Sequence, residues 1–330
     1  MKSRAFGPQG RKVGEVGLGT WQLGANWGDV SDETALATLR TAYEAGVTFF
    51  DTADVYGMGR SERLIGQFLR ATPGARERVY IATKLGRFSP PGWPDNFTRA
   101  TVRAHTEASL QRLGVEALDL TQLHCVPEEV LRRGEMLDAL AELQREGKIR
   151  GYGVSVESMD EALFCVRRGG VTALQIIFNV LRQKPIHVLF KEAQAARVGL
   201  IVRLPLASGL LGGKMTKATT FAADDHRTFN RDGQKFNVGE TFSGLPFELG
   251  VDLADQLKPL VPAGWTLADF ALRWCLDHEA VGVIIPGAKN PDQVRANVRA
   301  GDLPPLSPAV HAQLAAFYQD KVAAHIRGPY

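Results

Sequence analysis

Short β-rich runs alternate with longer amphipathic stretches eight times along this 330-residue chain, and this alternation limits the possible folds more than any other feature. Repeated βα units build a parallel sheet covered by helices, an α/β architecture. Eight units predict a (β/α)₈ TIM barrel, because that fold typically needs about 250 residues before insertions. We therefore expect one domain over residues 1–330. The eight strand-like runs are Val13–Thr20, Val47–Ala53, Val79–Gly86, Leu118–His124, Ile149–Glu157, Ala173–Asn179, Leu200–Leu206 and Val281–Gly287.

Two segments exceed the minimal barrel. The first is a predicted N-terminal β-hairpin, with its turn around Pro8-Gln9-Gly10. The second is a long loop after the seventh strand, from Gly209 to about Leu249, with a polar, glycine-punctuated section at Arg227–Lys235. Long ordered loops in compact domains are usually lids or binding loops, although a tolerated surface insertion would give the same pattern.

Helix starts and stops separate several of the strand-like runs. N-capping residue types predict helix starts at Ser31 and Thr98, and a third start is predicted at Ser61-Glu62. The helix that begins at Thr98 keeps its apolar spacing to Leu113 and should stop at Gly114. A further helix, which contains Leu137, Leu140 and Leu143, should end by Gly147.

The composition argues against several classes of function. The formal net charge of +3 is small, and no run of Lys or Arg is long enough for a nucleic-acid patch. No apolar stretch is long enough to span a bilayer. Cys125, Cys165 and Cys275 lie far apart without CxxC spacing, so neither a metal site nor a disulfide framework is indicated. A reducing, cytoplasmic setting is the expectation.

Four residues suited to carbonyl chemistry lie at or near the ends of consecutive strand-like runs. Asp51, Lys84 and His124 end apolar stretches in the second, third and fourth runs, and Tyr56 follows in the loop after the second. The C-terminal ends of barrel strands converge on one mouth, where catalytic groups of such barrels lie. A single strand-end charge often only caps a helix or forms an ion pair. Four chemically matched groups in this order indicate an enzyme.

These residue types fit an acid–base mechanism. Tyrosine has an ordinary pKa of ~10, and a lysine ammonium nearby should lower the pKa of Tyr56. Asp51 would hold Lys84 in place and keep it charged. His124 could donate a hydrogen bond to a substrate carbonyl. None of these groups can deliver hydride, so a nicotinamide cofactor is implied.

Six motifs spread along the chain carry a family resemblance. They are Gly17-Leu18-Gly19-Thr20-Trp21, Phe50-Asp51-Thr52-Ala53-Asp54-Val55-Tyr56-Gly57, Ile81-Ala82-Thr83-Lys84, Leu118-Asp119-Leu120-Thr121-Gln122-Leu123-His124, Pro205-Leu206-Ala207-Ser208-Gly209-Leu210-Leu211 and Ile285-Pro286-Gly287-Ala288-Lys289. With these motifs the chain resembles the aldo-keto reductases. The resemblance implies a barrel that binds NADPH without a Rossmann domain. Tyrosine would be the general acid, and hydride would pass to a small aldehyde or ketone.

The resemblance also implies cofactor contacts. Ser155 and Gln175 would bind the nicotinamide carboxamide, although a strand-end polar group can equally bond backbone. Lys289 and Gln293 would approach the 2′-phosphate, and Asn297 the adenine. The residues expected along the pyrophosphate are Leu206, Ser208, Gly209, Leu211 and Lys214. The other expected cofactor contacts are Thr20, Trp21, Arg203 and Gly287. Trp21 and the loop Phe88–Phe97, which contains Trp93, would form walls of the substrate pocket.

Two positions depart from the family pattern. Ser155-Val156 stands where the family often has Ser-Asn, which removes one expected carboxamide partner. Arg203 stands where an aromatic ring commonly stacks on the nicotinamide. A guanidinium is planar and can also stack, but it adds a positive charge.

Three other functions compete with carbonyl reduction. A phosphate-binding P-loop at Gly209–Lys214 fails on spacing, because Ser208 and Met215 stand where a glycine and a Ser or Thr are needed. A non-catalytic nucleotide-sensing barrel stays open, since fold alone does not fix function. An NAD(P)-dependent sugar or alcohol dehydrogenase that works in the oxidative direction also stays open.

Overall fold

The computed structural model describes residues 1–24 and 30–330, and its main feature is a barrel of eight parallel strands. Neighbouring strands follow chain order, and bridges from Val16 to Ile284 and from Gly19 to Gly287 join the first barrel strand to the last. The predicted (β/α)₈ architecture is confirmed. The strands are β1 (Ser3–Phe6), β2 (Arg11–Gly14), β3 (Leu18–Gly19), β4 (Phe49–Asp51), β5 (Tyr80–Leu85), β6 (Leu120–His124), β7 (Tyr152–Ser155), β8 (Ala173–Ile177), β9 (Gly199–Arg203) and β10 (Val281–Ile284).

The N-terminal hairpin is present, but its second strand was assigned wrongly from the sequence. The predicted run Val13–Thr20 divides between β2, which pairs antiparallel with β1, and barrel strand β3. Phe6 of the hairpin packs edge-on against Phe49 and Tyr80, so the hairpin seats its apolar side against the barrel core. Val13 is therefore as buried as a barrel residue, and burial alone could not separate the two strands.

Helices fill the connections between the barrel strands. Their bounds are α1 (Trp21–Gly24), α2 (Asp32–Glu44), α3 (Arg60–Ala71), α4 (Ala75–Arg78), α5 (Arg99–Leu113), α6 (Glu128–Arg133), α7 (Glu135–Arg145), α8 (Met159–Arg168), α9 (Pro185–Val188), α10 (Phe190–Ala195), α11 (His226–Phe229), α12 (Phe247–Leu257), α13 (Leu267–Leu276), α14 (Pro291–Arg299) and α15 (Pro308–Phe317). Short 3₁₀ turns lie at Ala207–Gly212, Val238–Glu240, Phe242–Gly244, Lys258–Leu260 and Ala323–His325, and a π turn at Tyr318–Val322.

Capping explains where most of the predicted helices begin. The side chains of Ser31 and Thr98 accept the expected hydrogen bonds from the first turns of α2 and α5. The helix predicted to open at Ser61-Glu62 is present as α3, but it begins one residue earlier, at Arg60 after a left-handed Gly59. The Ser61 hydroxyl is buried instead and donates to Thr20 Oγ1 at 2.7 Å.

The apolar core consists of two clusters of buried side chains. Ten buried side chains, among them Phe49, Leu120 and Ile201, form a separate apolar cluster with the hairpin, while a larger cluster includes strand residues and the surrounding helices. All three cysteines are buried free thiols. Across residues 1–24 and 30–330 the longest apolar helices are too short to cross a bilayer.

The segment between β9 and α12 forms the predicted long loop. Its 3₁₀ turns are fastened by the C-terminal tail. The guanidinium of the buried Arg182 donates to the carbonyls of Ser243 and Pro329 at 3.0 and 2.7 Å. Arg327 donates to the carbonyl of Gly244 at 2.9 Å. These contacts hold the far part of the loop in one position beside the barrel mouth.

Candidate active site

A cleft of about 560 Å³ opens at the C-terminal ends of the barrel strands. Its lining contains most of the residues singled out in the sequence, namely Thr20, Trp21, Asp51, Tyr56, His124, Gln175, Arg203, Leu206, Ser208, Gly209, Lys214, Gly287, Lys289, Gln293 and Asn297. Lys84, Ser155 and Leu211 are not part of this lining and are buried. The fold thus gathers residues from five strands, the segment after β10 and the long loop around one cavity.

Strand register explains part of this convergence. His124 pairs with Ser155, and Ser155 pairs with Gln175 across β6, β7 and β8. Residues paired in a parallel sheet lie side by side with their side chains on the same face, so His124 and Gln175 reach the cleft with Ser155 buried between them.

Tyr56, Lys84 and Asp51 form a connected group. The Lys84 ammonium donates to Asp51 Oδ1 at 2.5 Å and to the Tyr56 hydroxyl at 3.3 Å. It also donates to the Thr52 carbonyl at 2.9 Å, so its three hydrogens have three acceptors. The lysine is therefore held with its charge beside the tyrosine oxygen.

The net pKa shift of Tyr56 has the opposite direction to the one predicted from the sequence. Burial raises the pKa of Tyr56 above its usual value; Lys84 lowers it, Asp51 raises it, and the net direction is upward. The prediction that Lys84 and Asp51 together bring this pKa down was wrong for the net shift, although Lys84 acts in the expected direction. Tyr56 keeps part of its surface open to the cleft. It is consequently a protonated donor at neutral pH.

Lys84 remains charged in this setting. Burial lowers the pKa of Lys84, but the Asp51 carboxylate and Tyr56 more than compensate, so the net pKa is raised. A protonated tyrosine beside a fixed ammonium is arranged to release its proton, because the ammonium stabilises the tyrosinate that forms.

His124 faces this group as a neutral imidazole. Burial, followed by the charges of Arg87 and Lys84, holds its pKa well below the usual value. Its ring stands edge-on to Tyr56, with 6.1 Å between the centroids and 85° between the planes. Nδ1 is buried without a hydrogen-bond partner among the described residues. A neutral imidazole has one N–H to donate, which suits a carbonyl oxygen placed between His124 and Tyr56.

Backbone packing fixes Tyr56 in place. A Cβ atom on Gly24 would lie 2.6 Å from the Tyr56 carbonyl carbon, so only glycine allows α1 to approach this closely. The Thr20 hydroxyl donates to the Asp51 carbonyl at 2.8 Å and accepts from Ser61. Trp21 stacks on the Tyr56 ring at 5.8 Å and 13°. The ends of β3 and β4 are thereby locked together behind the reacting groups.

The neighbouring strand ends fit a nicotinamide carboxamide. The Ser155 hydroxyl is buried with no partner within the described residues, which leaves it free for an incoming polar group. Gln175 donates to Asp51 Oδ2 at 2.8 Å, so its amide is tied to the catalytic group. The structure therefore gives Gln175 a second role that the sequence did not indicate.

The segment after β9 has an unusual backbone. Leu204, Ala207 and Ser208 adopt left-handed φ values of 54°, 48° and 55°, which non-glycine residues rarely occupy. Such strain tends to occur at ligand sites, where the surroundings enforce it. The Ser208 hydroxyl accepts a hydrogen bond from the Phe242 amide at 3.1 Å. This side chain therefore lines the cleft and also fixes the position of the long loop.

The other end of the cleft lies at the start of α14. The amide of Lys289 donates to Gln293 Oε1 at 2.8 Å, and Asn297 donates to the Gly287 carbonyl at 3.2 Å. Lys289 is partly exposed on the cleft rim. A lysine beside a helix N-terminus is suited to a phosphate group.

The Arg203 guanidinium is held by two partners and is therefore not free to stack on a ring. Its guanidinium pairs with Glu240 at 3.3 Å and donates to the Val156 carbonyl at 3.1 Å. The same Glu240 pairs with Arg87 at 2.7 Å. The Val156 position, expected to lack a carboxamide partner, thus supplies a backbone acceptor for the arginine.

Several other residues of the cleft lining have no role assigned from the sequence. The unassigned lining residues are Gln22, Leu204, Pro205, Gly212, Met215, Arg227, Glu240, Thr266, Ala268, Ile285, Pro286 and Ala296. Thr266 carries a recognisable signal, the capping box with Asp269 at the start of α13, but that signal indicates a helix start rather than a ligand contact. Glu240 carries none, because its partner Arg87 lies 153 residues away.

The aromatic walls follow the prediction in part. Trp21 lines the cleft and lies 4.7 Å from the ring of His226, which comes from the long loop. Trp93 is 52% exposed, and its indole N–H donates to the Cys125 carbonyl at 2.8 Å. The loop Phe88–Phe97 is therefore fastened next to His124, but Trp93 does not line the cleft described above.

Glu157, beside the Arg87–Glu240 pair, should make stability depend on pH. Burial and then Glu240 raise its pKa from the usual 4.5 to about 7. A carboxyl group with a raised folded pKa binds its proton in the folded state only, so stability falls as pH rises from 4.5 to 7. Relative to E157Q, the free energy of unfolding of the wild type should decline across this window and level off above it. Urea unfolding at several pH values measures this.

The matched control is E128Q, which removes an exposed glutamate that pairs with Arg132 one turn away. It reports the effect of losing a glutamate charge at an exposed ion pair away from the Arg87–Glu240 pair. Parallel stability curves for E157Q and the wild type would contradict the raised pKa.

Comparison with known proteins places the chain among oxidoreductases. The model of the Aldo/keto reductase family matches residues 15–319. The chain is 30% identical over 304 residues to the aldo-keto reductase YhdN of Bacillus subtilis (strain 168), covering 90% of this chain and 87% of that protein. It is 29% identical over 317 residues to an NADH-specific methylglyoxal reductase of Escherichia coli (strain K12), covering 91% and 93%.

A solved structure extends the likeness to the whole fold. The glycerol dehydrogenase of Gluconobacter oxydans superposes with a TM-score of 0.79 and 28% sequence identity. The match covers 99% of this chain and 97% of the other.

Proposed function

The chain belongs to the aldo/keto reductase family, and we propose that it reduces the carbonyl group of a small aldehyde or ketone with NADPH. Members of this family are NAD(P)H-dependent oxidoreductases. The observation that carries the proposal is the hydrogen-bonded group Asp51–Lys84–Tyr56 at the cleft floor, opposite a neutral His124. The test is consumption of NADPH by the purified protein with a panel of aldehydes, ketones and sugars.

The residues of the site divide the work of reduction. When bound, the reduced nicotinamide supplies the hydride. The Tyr56 hydroxyl gives its proton to the carbonyl oxygen, and Lys84 stabilises the tyrosinate that remains. Asp51 holds Lys84 at 2.5 Å and keeps it charged. The N–H of His124 polarises the same carbonyl oxygen as negative charge develops on it.

Ser155 and Gln175 would hold the nicotinamide end, and Lys289 with Gln293 the phosphorylated ribose. The buried, unpartnered Ser155 hydroxyl supports the first assignment. The position of Lys289 on the rim, beside the first turn of α14, supports the second.

Lys289→Ala should weaken NADPH binding while barely changing NADH binding. One charge-assisted contact to phosphate contributes roughly 1.5–3 kcal/mol, or about one to two decades of affinity. NADH lacks the 2′-phosphate and should not sense the change. Dissociation constants from fluorescence titration of both nucleotides measure the effect.

Lys191→Ala is the control, since Lys191 is an exposed lysine on α10 and does not line the cleft. Equal loss of affinity for both nucleotides in Lys289→Ala would mean that Lys289 contacts another part of the cofactor. The question is open in this family, because the Escherichia coli relative is NADH-specific.

A dehydrogenase that works in the oxidative direction is the second candidate. It is favoured by the match to the glycerol dehydrogenase over nearly the whole chain. In that direction Tyr56 must act as a base, and its raised pKa disfavours this at neutral pH. Rates in both directions with both nucleotides distinguish the two functions. A non-catalytic sensor would bind nucleotide without turnover in either direction.

A further inference from the structure

Glu240 lies between the buried Arg203 and the partly buried Arg87, at the end of the cleft where the nicotinamide is proposed to bind. Its Oε1 accepts from Arg87 at 2.7 Å, and its Oε2 pairs with Arg203 at 3.3 Å. Its side chain is 5% exposed, and those of Arg87 and Arg203 are 16% and 10% exposed. A second, longer bond of 3.4 Å joins Arg87 to Oε2, so one carboxylate is shared by two guanidinium groups in surroundings that exclude most water.

The second acid of this cluster cannot replace Glu240. The nearest Glu157 oxygen is 3.6 Å from Arg87, and burial followed by Glu240 raises the pKa of Glu157 to about 7. Burial opposes ionisation of Glu240 as well, but Arg87 and Arg203 bring its pKa down to about 2. At neutral pH, Glu240 is thus the fully ionised partner of both arginines.

The cluster is not arranged for a metal ion. One ligand atom each from Cys125, Glu157 and Glu240 lies within 4.8 Å of the others, which is close enough for a cation. The guanidinium groups of Arg87 and Arg203 already occupy the carboxylate oxygens of Glu240, and they would repel a further positive charge. Burial also raises the pKa of the Cys125 thiol, so no thiolate is offered.

Arg203 lines the cleft beside the residues that fit a nicotinamide. Gln175, His124 and Arg203 all contribute to one cavity wall, and Ser155 lies buried between their strands. Oxidised nicotinamide is cationic, whereas reduced nicotinamide is neutral. An uncompensated guanidinium at this place would therefore repel the oxidised ring and leave the reduced ring almost unaffected.

We propose that Glu240 is a positioning residue that holds and neutralises Arg203, and thereby sets the relative affinity of the cleft for oxidised and reduced cofactor. The inference rests on the proposed function, in that a nicotinamide nucleotide must occupy the cleft. It goes beyond that function by assigning a role in cofactor discrimination to a residue of the long loop.

The backbone around Glu240 allows its charge to be removed on its own. The Glu240 carbonyl accepts from the Ser208 hydroxyl at 3.3 Å, and the Phe242 amide donates to the same hydroxyl. Glu240→Gln keeps these contacts, the size of the side chain and one acceptor oxygen; it removes the negative charge and turns the other acceptor oxygen into an N–H donor.

The experiment measures dissociation constants of NADP⁺ and NADPH in wild type, E240Q and E240Q/R203M. In E240Q the NADP⁺ constant should rise roughly tenfold relative to that of NADPH, the order expected for one partly screened charge pair. In E240Q/R203M the ratio should return close to the wild-type value, because the uncompensated cation is gone. E128Q is the control and should leave the ratio unchanged.

Two outcomes would overturn the inference. A parallel loss of affinity for both nucleotides in E240Q would mean that Glu240 only supports the loop. Rescue of the ratio by E240Q/R87M as fully as by E240Q/R203M would mean that net charge, and not the placement of Arg203, governs the effect.

R203M alone keeps the test decisive if E240Q does not fold. In the wild type the single Glu240 carboxylate faces two guanidinium groups, so R203M removes the remaining positive charge and NADP⁺ should tighten relative to NADPH; an unchanged ratio overturns the inference. If the wild type binds neither nucleotide, the proposed function and this inference both fail. If it binds both nucleotides and the ratio is unchanged in E240Q, only the inference fails.

Discussion

Replacing Tyr56 with phenylalanine is expected to lower kcat for carbonyl reduction by ~10²–10⁴-fold, the range of general acid–base assistance. The change removes the proton donor and leaves the ring that stacks on Trp21. The hydroxyl bonds Lys84 and lies away from the rim that carries Lys289, so the dissociation constant of NADPH should stay within about threefold. Steady-state rates with an aldehyde and a separate nucleotide titration measure the two effects.

Tyr80→Phe is the matched control. Tyr80 is another buried tyrosine, and its hydroxyl donates to the Asp119 carbonyl at 3.2 Å within the core rather than in the cleft. Its loss should affect stability more than turnover. Wild-type turnover in Tyr56→Phe would remove Tyr56 from the mechanism.

The candidate catalytic residues could be found from the sequence because a parallel barrel turns strand order into spatial order. Asp51, Lys84 and His124 end neighbouring strands, and the ends of neighbouring parallel strands lie side by side. The local sequence pattern alone therefore predicts that these three positions, which are distant along the chain, meet at one mouth of the barrel. Tyr56 followed because only a short loop separates it from Asp51.

The net pKa shifts of the site residues could not be predicted from the sequence in the same way. The sequence shows that Lys84 can act on Tyr56, but the net pKa of Tyr56 depends on how much water the folded cleft admits. Burial is a property of the assembled barrel, and it reverses the direction expected from the charged neighbours.

Pairing between residues that are far apart in the chain could not be predicted from the sequence either. Arg87 and Glu240 come from loops that follow β5 and β9, and their separation of 153 residues leaves no periodic signal. The division of Val13–Thr20 between hairpin and barrel was missed for a related reason. Both parts are buried apolar segments, and only the pairing partners distinguish them.

Lys84→Met should impair both catalysis and stability. Without the ammonium the pKa of Tyr56 should rise further, and kcat should fall at least ~10²-fold. Asp51 would then be a buried carboxylate that has lost its cation and keeps its bond from Gln175. Removing one partner of a buried pair typically costs ~3–5 kcal/mol of unfolding free energy. A pH–rate profile and urea unfolding measure the two consequences, with Lys148→Met, at a partly exposed ion pair with Glu107, as control.

The double variant Asp51→Asn/Lys84→Met separates these consequences. Neutralising Asp51 removes the uncompensated buried charge, so much of the lost stability should return. Catalysis should not return, because no cation remains beside the Tyr56 hydroxyl to stabilise the tyrosinate. Recovery of turnover together with stability would show that Lys84 serves only to pair with Asp51. Stable protein with a persistent rate loss is the result expected if Lys84 acts on Tyr56 across the 3.3 Å contact.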